Sequence, residues 1–530
     1  MFLIGFFLAI VLLSLSQPSI LTGELPGIPG GDLFTNGIVL HLKVRINPDQ
    51  LAALKADSRH YARCTVLESN VAYQDVGIHL KGSAGSFREF DDKPALTLSF
   101  NHFKPGQRFH GLRKIHLNNS VQDPSYMTEL ICGQMFEESG VPAARVAHAR
   151  VTLNDRSPDF YVIKEGFTRD LLGRFFKNVD GNLYDGGFLK DIPDLSGDEA
   201  ENQSTNKADL KALADAAREA NPRARWERLN HVLDLDRFIP FMAMEILTWH
   251  WDGYAMNRNN YRLYHDPTSG KMVFLAHGMD QMFQDPNGSL SPEFRGMVAD
   301  AVMRTPEGRS RYYETLGALF TNVFKPAVLT NRVDALYARI HPAVVAISEE
   351  AGRAHEEAVN DLRSRIVNRY ESIRNQLTSG SRATLPFDND GVARLDGWTE
   401  RGEGDRIKLE RKTSSDGKTR LRIVASEGCL ASWRTRVALP AGRYRFEARA
   451  RARKVQAISD DKGEGAGLRI SGRDRVNGNK LTGSADWTTL TYPFEIGADG
   501  EQVELVCELR ANGGEVWFDA DSTRIVREKP

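Results

Sequence analysis

The chain has 530 residues, which is more than one ordinary hydrophobic core accommodates. Its residues are 41% hydrophobic and 26% charged, a composition that excludes a disordered or largely membrane-embedded protein. The 69 Lys and Arg residues nearly balance the 70 Asp and Glu residues, so no global field attracts nucleic acid. We therefore expect at least two folded domains and no nucleic-acid partner.

An almost unbroken apolar run, FLIGFFLAIVLL, occupies residues 2–13 and is followed by the small and polar segment SLSQPS. This length is typical of the apolar region of an export signal and is short for a membrane span. No Lys or Arg precedes the run and no A-x-A cleavage site follows it, so an uncleaved anchor is the alternative. We predict that residues 1–23 are a signal peptide or N-terminal anchor. The protein is then secreted, periplasmic or at the cell surface, and membrane-anchored if the signal is not cleaved.

A folded domain is predicted to begin near Asp32, after the connector GELPGIPGG. Alternating or apolar runs predict strands at IVLHLKVRI, VGIHL, ALTLSF, ARVAHARVTL and FYVIKEGF. A helix is expected after Asp123-Pro124, with Asp123 as its cap and Pro124 in its first turn. This succession predicts an α+β domain.

Helical patterns dominate from Asn206 to Leu377, interrupted by one hairpin. The segments NNYRLYHD and KMVFLAHG flank the turn Pro267-Thr268-Ser269-Gly270, which indicates two paired strands. The charged stretch around residues 355–374 is expected to be a solvated helix face. We place the first domain at residues 32–377.

The Gly/Ser-rich segment near Thr378 marks a linker, residues 378–388, beyond which helical periodicity ends. Residues 389–530 carry short strand-like runs between turns, the pattern of an all-β jelly roll or β-sandwich. The predicted strands are RIKLER, TRLRIVAS, GRYRFEARAR, WTTLTYPFEI, QVELVCEL and EVWFDADSTRIV. The cysteines, two in each domain, allow one disulfide per domain or four buried thiols.

Polar side chains concentrate in residues 250–283, HWDGYAMNRNNYRLYHDPTSGKMVFLAHGMDQMF. Asp252 precedes Asn257 by five positions, the spacing of the catalytic Asp and metal-binding Asn in the protein-kinase HRDxxxxN loop. Asp280 follows the hairpin, as the metal-binding Asp of the kinase DFG motif does. Phosphoryl transfer needs a carboxylate that orients a hydroxyl and oxygen ligands that hold magnesium. Alone, the Asp252–Asn257 spacing is weak evidence, because such pairs commonly stabilise turns.

The whole string DGYAMNRNNYRLY followed by GMDQMF resembles the signature of the CotH family, the spore coat protein H-like atypical protein kinases. Further segments match in the family's order, among them VGIHLKGSAGSF, GLRKIHLNN, YVIKEGFTRDLLGRFF and GNLYDGG. The resemblance covers residues 32–375 and implies a kinase-like fold that binds ATP and Mg²⁺, with Mn²⁺ as an alternative metal.

The resemblance implies a role for each candidate site residue. Asp252 is expected to be the catalytic base, with Asn257 and Asp280 as metal ligands, although roles within this set can be exchanged. Residues expected to contact or support the nucleotide are Lys93, Lys81, Glu129, Glu165, Asn259 and Asn260. The kinase arrangement suggests an ion pair between Lys93 and Glu129; Lys81 competes with Lys93, and Glu165 with Glu129.

The chain departs from the family pattern around KGSAGSFREFDDKP, where Lys81 stands in place of the Arg of many relatives and Asp91 and Asp92 replace a more basic run. Carboxylates near phosphates weaken nucleotide binding unless they face solvent or a metal. The leading hypothesis is an exported protein kinase that transfers the ATP γ-phosphoryl group to Ser or Thr hydroxyls of exported or surface proteins. The alternative is a catalytically inactive, CotH-like surface binding or structural protein.

The C-terminal domain resembles the jelly-roll carbohydrate-binding modules of exported proteins, notably in its closing segment LVCELRANGGEVWFDADSTRIV. Its tryptophans, Trp398, Trp433, Trp487 and Trp517, could stack on sugar rings or be buried in the core. This resemblance implies a cell-surface polysaccharide as a second partner beside the protein acceptor.

Overall fold

The computed structural model describes residues 27–530 except 84, 198–206, 381–384, 386, 389, 404–406, 414–416, 427, 459–464, 474–478, 498–500 and 529–530. By contacts the chain divides into two compact units. The first comprises residues up to Asn119 with Arg145–Arg174, and the second comprises Ser120–Ala144 with Phe175 onward. Residues 1–23, the predicted signal or anchor, lie outside the described residues. In the part of the chain that is described, no helix combines the length and apolar character that a membrane crossing requires.

The first unit is a seven-stranded closed barrel with the strand order β1-β2-β3-β4-β5-β7-β6. Its strands are β1 Leu40–Arg45, β2 Ala62–Glu68, β3 Val71–Lys81, β4 Ala95–Ser99, β5 Lys114–Asn118, β6 Val146–Leu153 and β7 Asp159–Glu165. Neighbours are antiparallel except β1 and β6, which pair in parallel and close the barrel. The helices found among the described residues of this unit are α1 Gly31–Thr35, α2 Pro48–Ala56 and α4 Arg169–Leu172. Side chains that alternate inward along the strands form one apolar core.

The second unit begins with α3, Thr128–Glu138. The predicted helix is therefore present, but it begins four residues after Pro124. Asp123 still satisfies its first turn, because its carboxylate accepts the N–H groups of Met127 at 3.0 Å and Thr128 at 2.9 Å.

Helices and a small sheet form the next part of this unit. The helices are α5 Ala208–Arg218, α6 Pro222–Val232, α7 Leu235–Leu247, α8 Tyr254–Asn257, α9 Met297–Met303, α10 Pro306–Asn322, α11 Pro326–Val345 and α12 Glu349–Gly380. The sheet has the order β11-β10-β8-β9, with β8 Leu183–Asp185, β9 Ser196–Gly197, β10 Tyr261–Asp266 and β11 Lys271–Ala276. The predicted hairpin is β10 and β11, in register from Tyr261 opposite Ala276 to Asp266 opposite Lys271.

The charged stretch of α12 has the predicted solvated face, on which Glu356, Glu357 and Asp361 are exposed, but two of its polar side chains are buried. His355 is 1% exposed and Arg369 is fully buried. The Arg369 guanidinium donates to the carbonyls of Leu247, Ile246 and Gly288 at 3.0, 2.6 and 2.6 Å. A charged side chain can occupy this interior position because backbone oxygens receive its N–H groups.

The C-terminal region is all β, as predicted. Its strands are β12 Val392–Arg394, β13 Thr399–Glu403, β14 Ile407–Thr413, β15 Thr419–Ala425, β16 Cys429–Leu439, β17 Gly442–Ala457, β18 Gly465–Ile470, β19 Lys480–Leu481, β20 Gly483–Ile496, β21 Glu501–Asp519 and β22 Arg524–Arg527. The first half of β21 pairs with β16 and β18, and its second half pairs with β15 and β17. One long strand thereby joins two sets of strands.

Two details of the β region differ from prediction. The run QVELVCEL and the first five residues of EVWFDADSTRIV are one strand, β21, whose register against β17 shifts around Gly513; Gly514 has a φ of 110°. The rest of the second run forms a 3-10 turn and most of β22. The strands β12, β13, β16, β18 and β19 were not predicted. The small and basic residues of β16 and β18 obscure the alternation, and the other three strands are short. All four cysteines are free and buried.

Candidate functional site

The candidate site is built on the segment between α7 and β10. Helix α7 is apolar and buried, and the chain leaves it through a turn at Trp249, where φ is 50°. The four-residue helix α8 follows, and positive φ values at Arg258 (55°) and Asn260 (51°) turn the chain into β10. Such angles are uncommon outside glycine and mark a backbone held in place by its contacts.

This backbone gathers three amides around one carboxylate. Asn257 donates its Nδ2–H to Asp252 Oδ1 at 2.6 Å, and Asn259 and Asn260 donate to Asp252 Oδ2 at 3.0 and 2.9 Å. Asn260 also donates to the Asp252 carbonyl at 3.0 Å. The carboxylate is therefore fixed in orientation while the amide oxygens of the three asparagines remain acceptors. Asp252 and Asn257, singled out by spacing, are in contact.

A buried carboxyl group accepts hydrogen bonds from the backbone at the start of α8. Glu245 of α7 has no exposed surface, and its two oxygens accept the N–H groups of Tyr254 at 2.8 Å and Ala255 at 2.7 Å. Burial raises the pKa of Glu245 to about 8, against the lowering effect of these two hydrogen bonds and with a further increase from the charge of Asp252. Glu245 thus caps α8 and positions the backbone immediately after Asp252.

Asp280 is tied to the same region through its flanking residues. Gly278, with a φ of 61°, lies so close to Asn260 that a Cβ there would be 2.2 Å from the Asn260 Oδ1. The Thr128 hydroxyl lies 2.6 Å from Asp123 Oδ2 and 3.2 Å from the Asp280 carbonyl, so its single proton is shared between these two acceptors. The asparagine cluster and the start of α3 therefore hold the two ends of the Gly278–Asp280 segment.

The donor chemistry of this segment fits magnesium. Within the described ranges, no group of three or more His, Cys, Asp or Glu side chains is arranged to hold a metal ion. Mg²⁺ in phosphoryl-transfer sites needs less from the protein, because one or two carboxylates suffice when the nucleotide phosphates and waters complete its shell. Asp280 and Asn257 provide one carboxylate and one amide oxygen of the required hard type.

The two candidate lysines lie at either end of the loop between β3 and β4. Lys81 is the last residue of β3, and its Nζ donates to Asn118 Oδ1 at 2.5 Å. Lys93 precedes β4 rather than lying on a strand, and its Nζ lies 5.6 Å from the centre of the Tyr161 ring. Both belong to the barrel unit, and their role toward a nucleotide stays a prediction.

The two candidate glutamates have different surroundings. Glu129 is 5% exposed in the first turn of α3. Glu165 is fully buried at the end of β7 and pairs with Arg145 at 2.6 Å and Arg174 at 2.9 Å. Two guanidinium groups already balance the Glu165 carboxylate. The ion pair of Lys93 with Glu129, and the alternative with Glu165, stay predictions.

The acidic pair that argued against nucleotide binding faces solvent. The Asp91 side chain is 75% exposed and pairs with Lys55 at 2.6 Å. The Asp92 side chain is 62% exposed and lies 3.4 Å from Arg88. Exposed and paired carboxylates exert little field at a distance, so this objection to nucleotide binding is weakened.

Sequence reasoning missed Glu245, Thr128 and Gly278. A signal existed for Glu245, a single carboxyl group inside the apolar run FMAMEIL, where an unpaired charge would be costly. Gly278 opens the string GMDQMF, but that motif assigned it no role of its own. No local pattern connects Thr128 with the site, because its contact with Asp280 spans 152 residues of sequence.

Comparison with known proteins points to one family. The family model described as CotH kinase protein matches residues 78–373. Inner spore coat protein H of Bacillus subtilis is 25% identical over 303 residues, covering 53% of this chain and 80% of that protein. Invasin CotH3 of Rhizopus delemar is 24% identical over 312 residues, covering 52% of this chain and 50% of its own length.

Solved structures match one part of the chain. The carbohydrate-binding module TmCBM61, in complex with β-1,4-galactotriose, has 14% sequence identity and a TM-score of 0.19, covering 26% of this chain and 91% of the module. The family 11 carbohydrate-binding module of a cellulase from Clostridium thermocellum has 13% identity and a TM-score of 0.16, covering 28% of this chain and 96% of the module.

Proposed function

Because this chain belongs to the CotH kinase protein family, we propose that it is a protein kinase that transfers the ATP γ-phosphoryl group to Ser or Thr hydroxyls. The observation that carries the proposal is the asparagine cluster around Asp252, with Gly278 packed against Asn260. A carboxylate held by three amides is oriented before the acceptor arrives, which lowers the cost of positioning the hydroxyl.

In this proposal Asp252 orients the acceptor hydroxyl and takes up its proton. Asp280 and Asn257 would hold Mg²⁺, which neutralises charge on the transferring phosphoryl group. Asn259 and Asn260 keep the Asp252 carboxylate in one orientation, while Glu245 holds the backbone that follows it. Lys93, with Lys81 as the alternative, is the proposed contact to the nucleotide phosphates.

We further propose exported or surface proteins as acceptors and a cell-surface polysaccharide as the partner of the C-terminal domain. The apolar N-terminal run supports the first of these, and the all-β region supports the second. Location outside the cytoplasm is part of the same proposal.

Label transfer tests the kinase proposal directly. The full chain is incubated with Mg²⁺, γ-labelled ATP and an acidic acceptor protein, in parallel with Asp252→Asn and Asp280→Asn. We expect each variant to lose at least about 100-fold in rate, since each lacks a charged group that the proposed transfer requires. Asp236→Asn, an exposed carboxylate of the same unit that pairs with Arg311, is the matched control and should transfer label normally.

The outcomes separate the two hypotheses. Transfer that Asp252→Asn and Asp280→Asn abolish supports the kinase. A wild-type chain that neither binds nor uses ATP contradicts it and favours the surface binding protein.

A further inference from the structure

One face of the β region carries alternating arginine and tryptophan side chains. Along β15, β17 and β21 the residues that alternate inward, such as Leu421, Ala450 and Phe518, belong to the apolar core. Their neighbours therefore point outward. We call this outward surface the arginine–tryptophan face; it comprises Arg420, Arg422, Arg449, Arg451, Trp487 and Trp517.

Two guanidinium groups lie over each indole ring of this face. Arg422 and Arg451 lie 5.5 and 5.9 Å from the centre of the Trp517 ring. Arg420 and Arg449 lie 4.9 and 5.9 Å from the centre of the Trp487 ring. Strand pairing places Trp517 between its two arginines, because Trp517 on β21 is opposite Arg422 on β15 and opposite Arg451 on β17.

The occupied rings decide what the face can recognise. A neutral sugar or a nucleobase binds tryptophan by stacking on its open face. Here the guanidinium groups take that position. The planar N–H fork of Arg422 already donates to Glu515 and Glu410, so the exposed guanidinium groups of Arg449 and Arg451 are what the face offers to a ligand. Such forks bind carboxylate and similar oxyanions in pairs of parallel hydrogen bonds.

The face also carries excess positive charge. Its described residues and their outward neighbours on β14, β17, β20 and β21 include seven cations and four carboxylates. These are Lys408, Lys412, Arg420, Arg422, Arg449, Arg451 and Arg453, and Glu410, Asp486, Glu515 and Asp519. Lys408, Lys412 and Arg422 surround Glu410 and hold its pKa at about 2, so this carboxyl stays ionised and the charge count holds at neutral pH.

The spacing of the charges favours separated anions over a dense row. Arg449 and Arg451 lie two residues apart on β17, about 7 Å by strand rise, with the carboxylates of Asp486 and Glu515 nearby. A nucleic-acid duplex carries one phosphate per about 1.7 Å of axis, so some of its phosphates would lie next to those carboxylates and be repelled by them. A polymer with one carboxylate per sugar unit can place its charges at the arginines alone.

We propose that the arginine–tryptophan face binds an acidic polysaccharide through carboxylate groups on separate sugar units. The inference rests on the polysaccharide partner proposed above, and it is independent of phosphoryl transfer. The face thereby selects charged over neutral glycans.

Binding of polygalacturonate to the full chain, without nucleotide, tests the proposal in affinity electrophoresis and by calorimetry. Arg449→Gln/Arg451→Gln removes two exposed guanidinium groups and should weaken binding at least about tenfold. The double variant Arg449→Lys/Arg451→Lys keeps both positive charges but lacks the planar guanidinium groups, and it should bind at least about threefold more weakly than wild type. It takes the place of the glutamine variant if that variant fails to fold. Arg401→Gln on β13, outside the face, is the control and should bind as wild type does.

Three further probes complete the design: neutral galactan, heparin and single-stranded DNA. Preference for polygalacturonate over all three, lost in the paired variants, supports the proposal. The proposal is overturned if the wild-type chain does not bind polygalacturonate, binds galactan equally well, binds only heparin, or binds DNA more tightly. It is also overturned if Arg401→Gln loses as much polygalacturonate affinity as the paired variants. Since no ATP is present, failure of this test leaves the kinase assay unaffected, and failure of the kinase assay leaves this one unaffected.

Discussion

At the scale of single residues, the site depends on groups that position Asp252. Glu245 is the clearest, because it is the buried carboxyl that receives the backbone N–H groups of Tyr254 and Ala255. Its pKa of about 8 lies above the ordinary value of 4.5. The folded chain therefore keeps a proton that the unfolded chain releases as pH rises from 4.5 to 8. Glu245 makes the protein less stable with rising pH in this window, by at most about 1.4 kcal/mol per pH unit.

Glu245→Gln should remove this pH dependence. The amide keeps one acceptor but turns an N–H group toward a backbone donor, which costs about 1–3 kcal/mol. We expect wild type to exceed the variant in free energy of unfolding at pH 5, and the difference to shrink by pH 8. Denaturant unfolding at pH 5, 6.5 and 8 measures it; a difference that stays constant would contradict a raised pKa.

Gly278 offers a second prediction, with a matched control on the same hairpin. Gly278 and Gly270 both have positive φ, 61° and 69°, so alanine strains the backbone at either position. Only at Gly278 would the added Cβ also collide, 2.2 Å from Asn260 Oδ1, whereas nothing lies within 4 Å at Gly270. We expect Gly278→Ala to lower both stability and label transfer more than Gly270→Ala does. Equal effects would mean that Asn260 needs no such close approach.

At the scale of elements, the long helix α12 is joined to the end of α7 by a buried arginine. The Arg369 guanidinium satisfies carbonyls at the C-terminal end of α7 and in the segment at Gly288, and it lies 5.3 Å from the centre of the Trp249 ring. Burial lowers the pKa of Arg369 to about 10, so it remains a cation at neutral pH. This contact fixes the point at which the site segment leaves α7.

Arg369→Met should therefore destabilise the protein by about 2–4 kcal/mol, because several buried carbonyls lose their donor. Arg353→Met is the control on the same helix; that side chain is 69% exposed, and its loss should change stability by less than about 0.5 kcal/mol. Thermal and denaturant unfolding of both variants measure the effect. Similar stabilities for the two variants would show that the buried contacts are replaced by water.

At the scale of the whole molecule, the reactivity of the cysteines shows whether the chain is folded and whether it contains disulfides. Cys64, Cys132, Cys429 and Cys507 are buried and free, and burial raises the pKa of each thiol. A thiol labelling reagent should react with none of them in the native protein at pH 8 and with all four after denaturation without reductant. Two or fewer reactive thiols after denaturation would reveal disulfides instead.

The local patterns of the sequence determined much of this molecule. Periodicity and turn residues predicted five of the seven barrel strands, the β10–β11 hairpin and the all-β C-terminal region, because these signals act between residues close in sequence. The strands β2 and β5 were not predicted. The block from Asp252 to Asp280 revealed the family and the carboxylate–amide pair for the same reason, since Asp252 and Asn257 are neighbours along the chain.

Only the tertiary structure decided which distant groups support that block. Glu245 under α8, Thr128 at Asp280 and Arg369 at the end of α7 act through contacts between elements. Likewise, the order of β15, β21 and β17 brings Arg422, Trp517 and Arg451 side by side. Alternation along one strand shows which side chains share a face, but strand order and register set their neighbours, and these depend on packing across the whole domain.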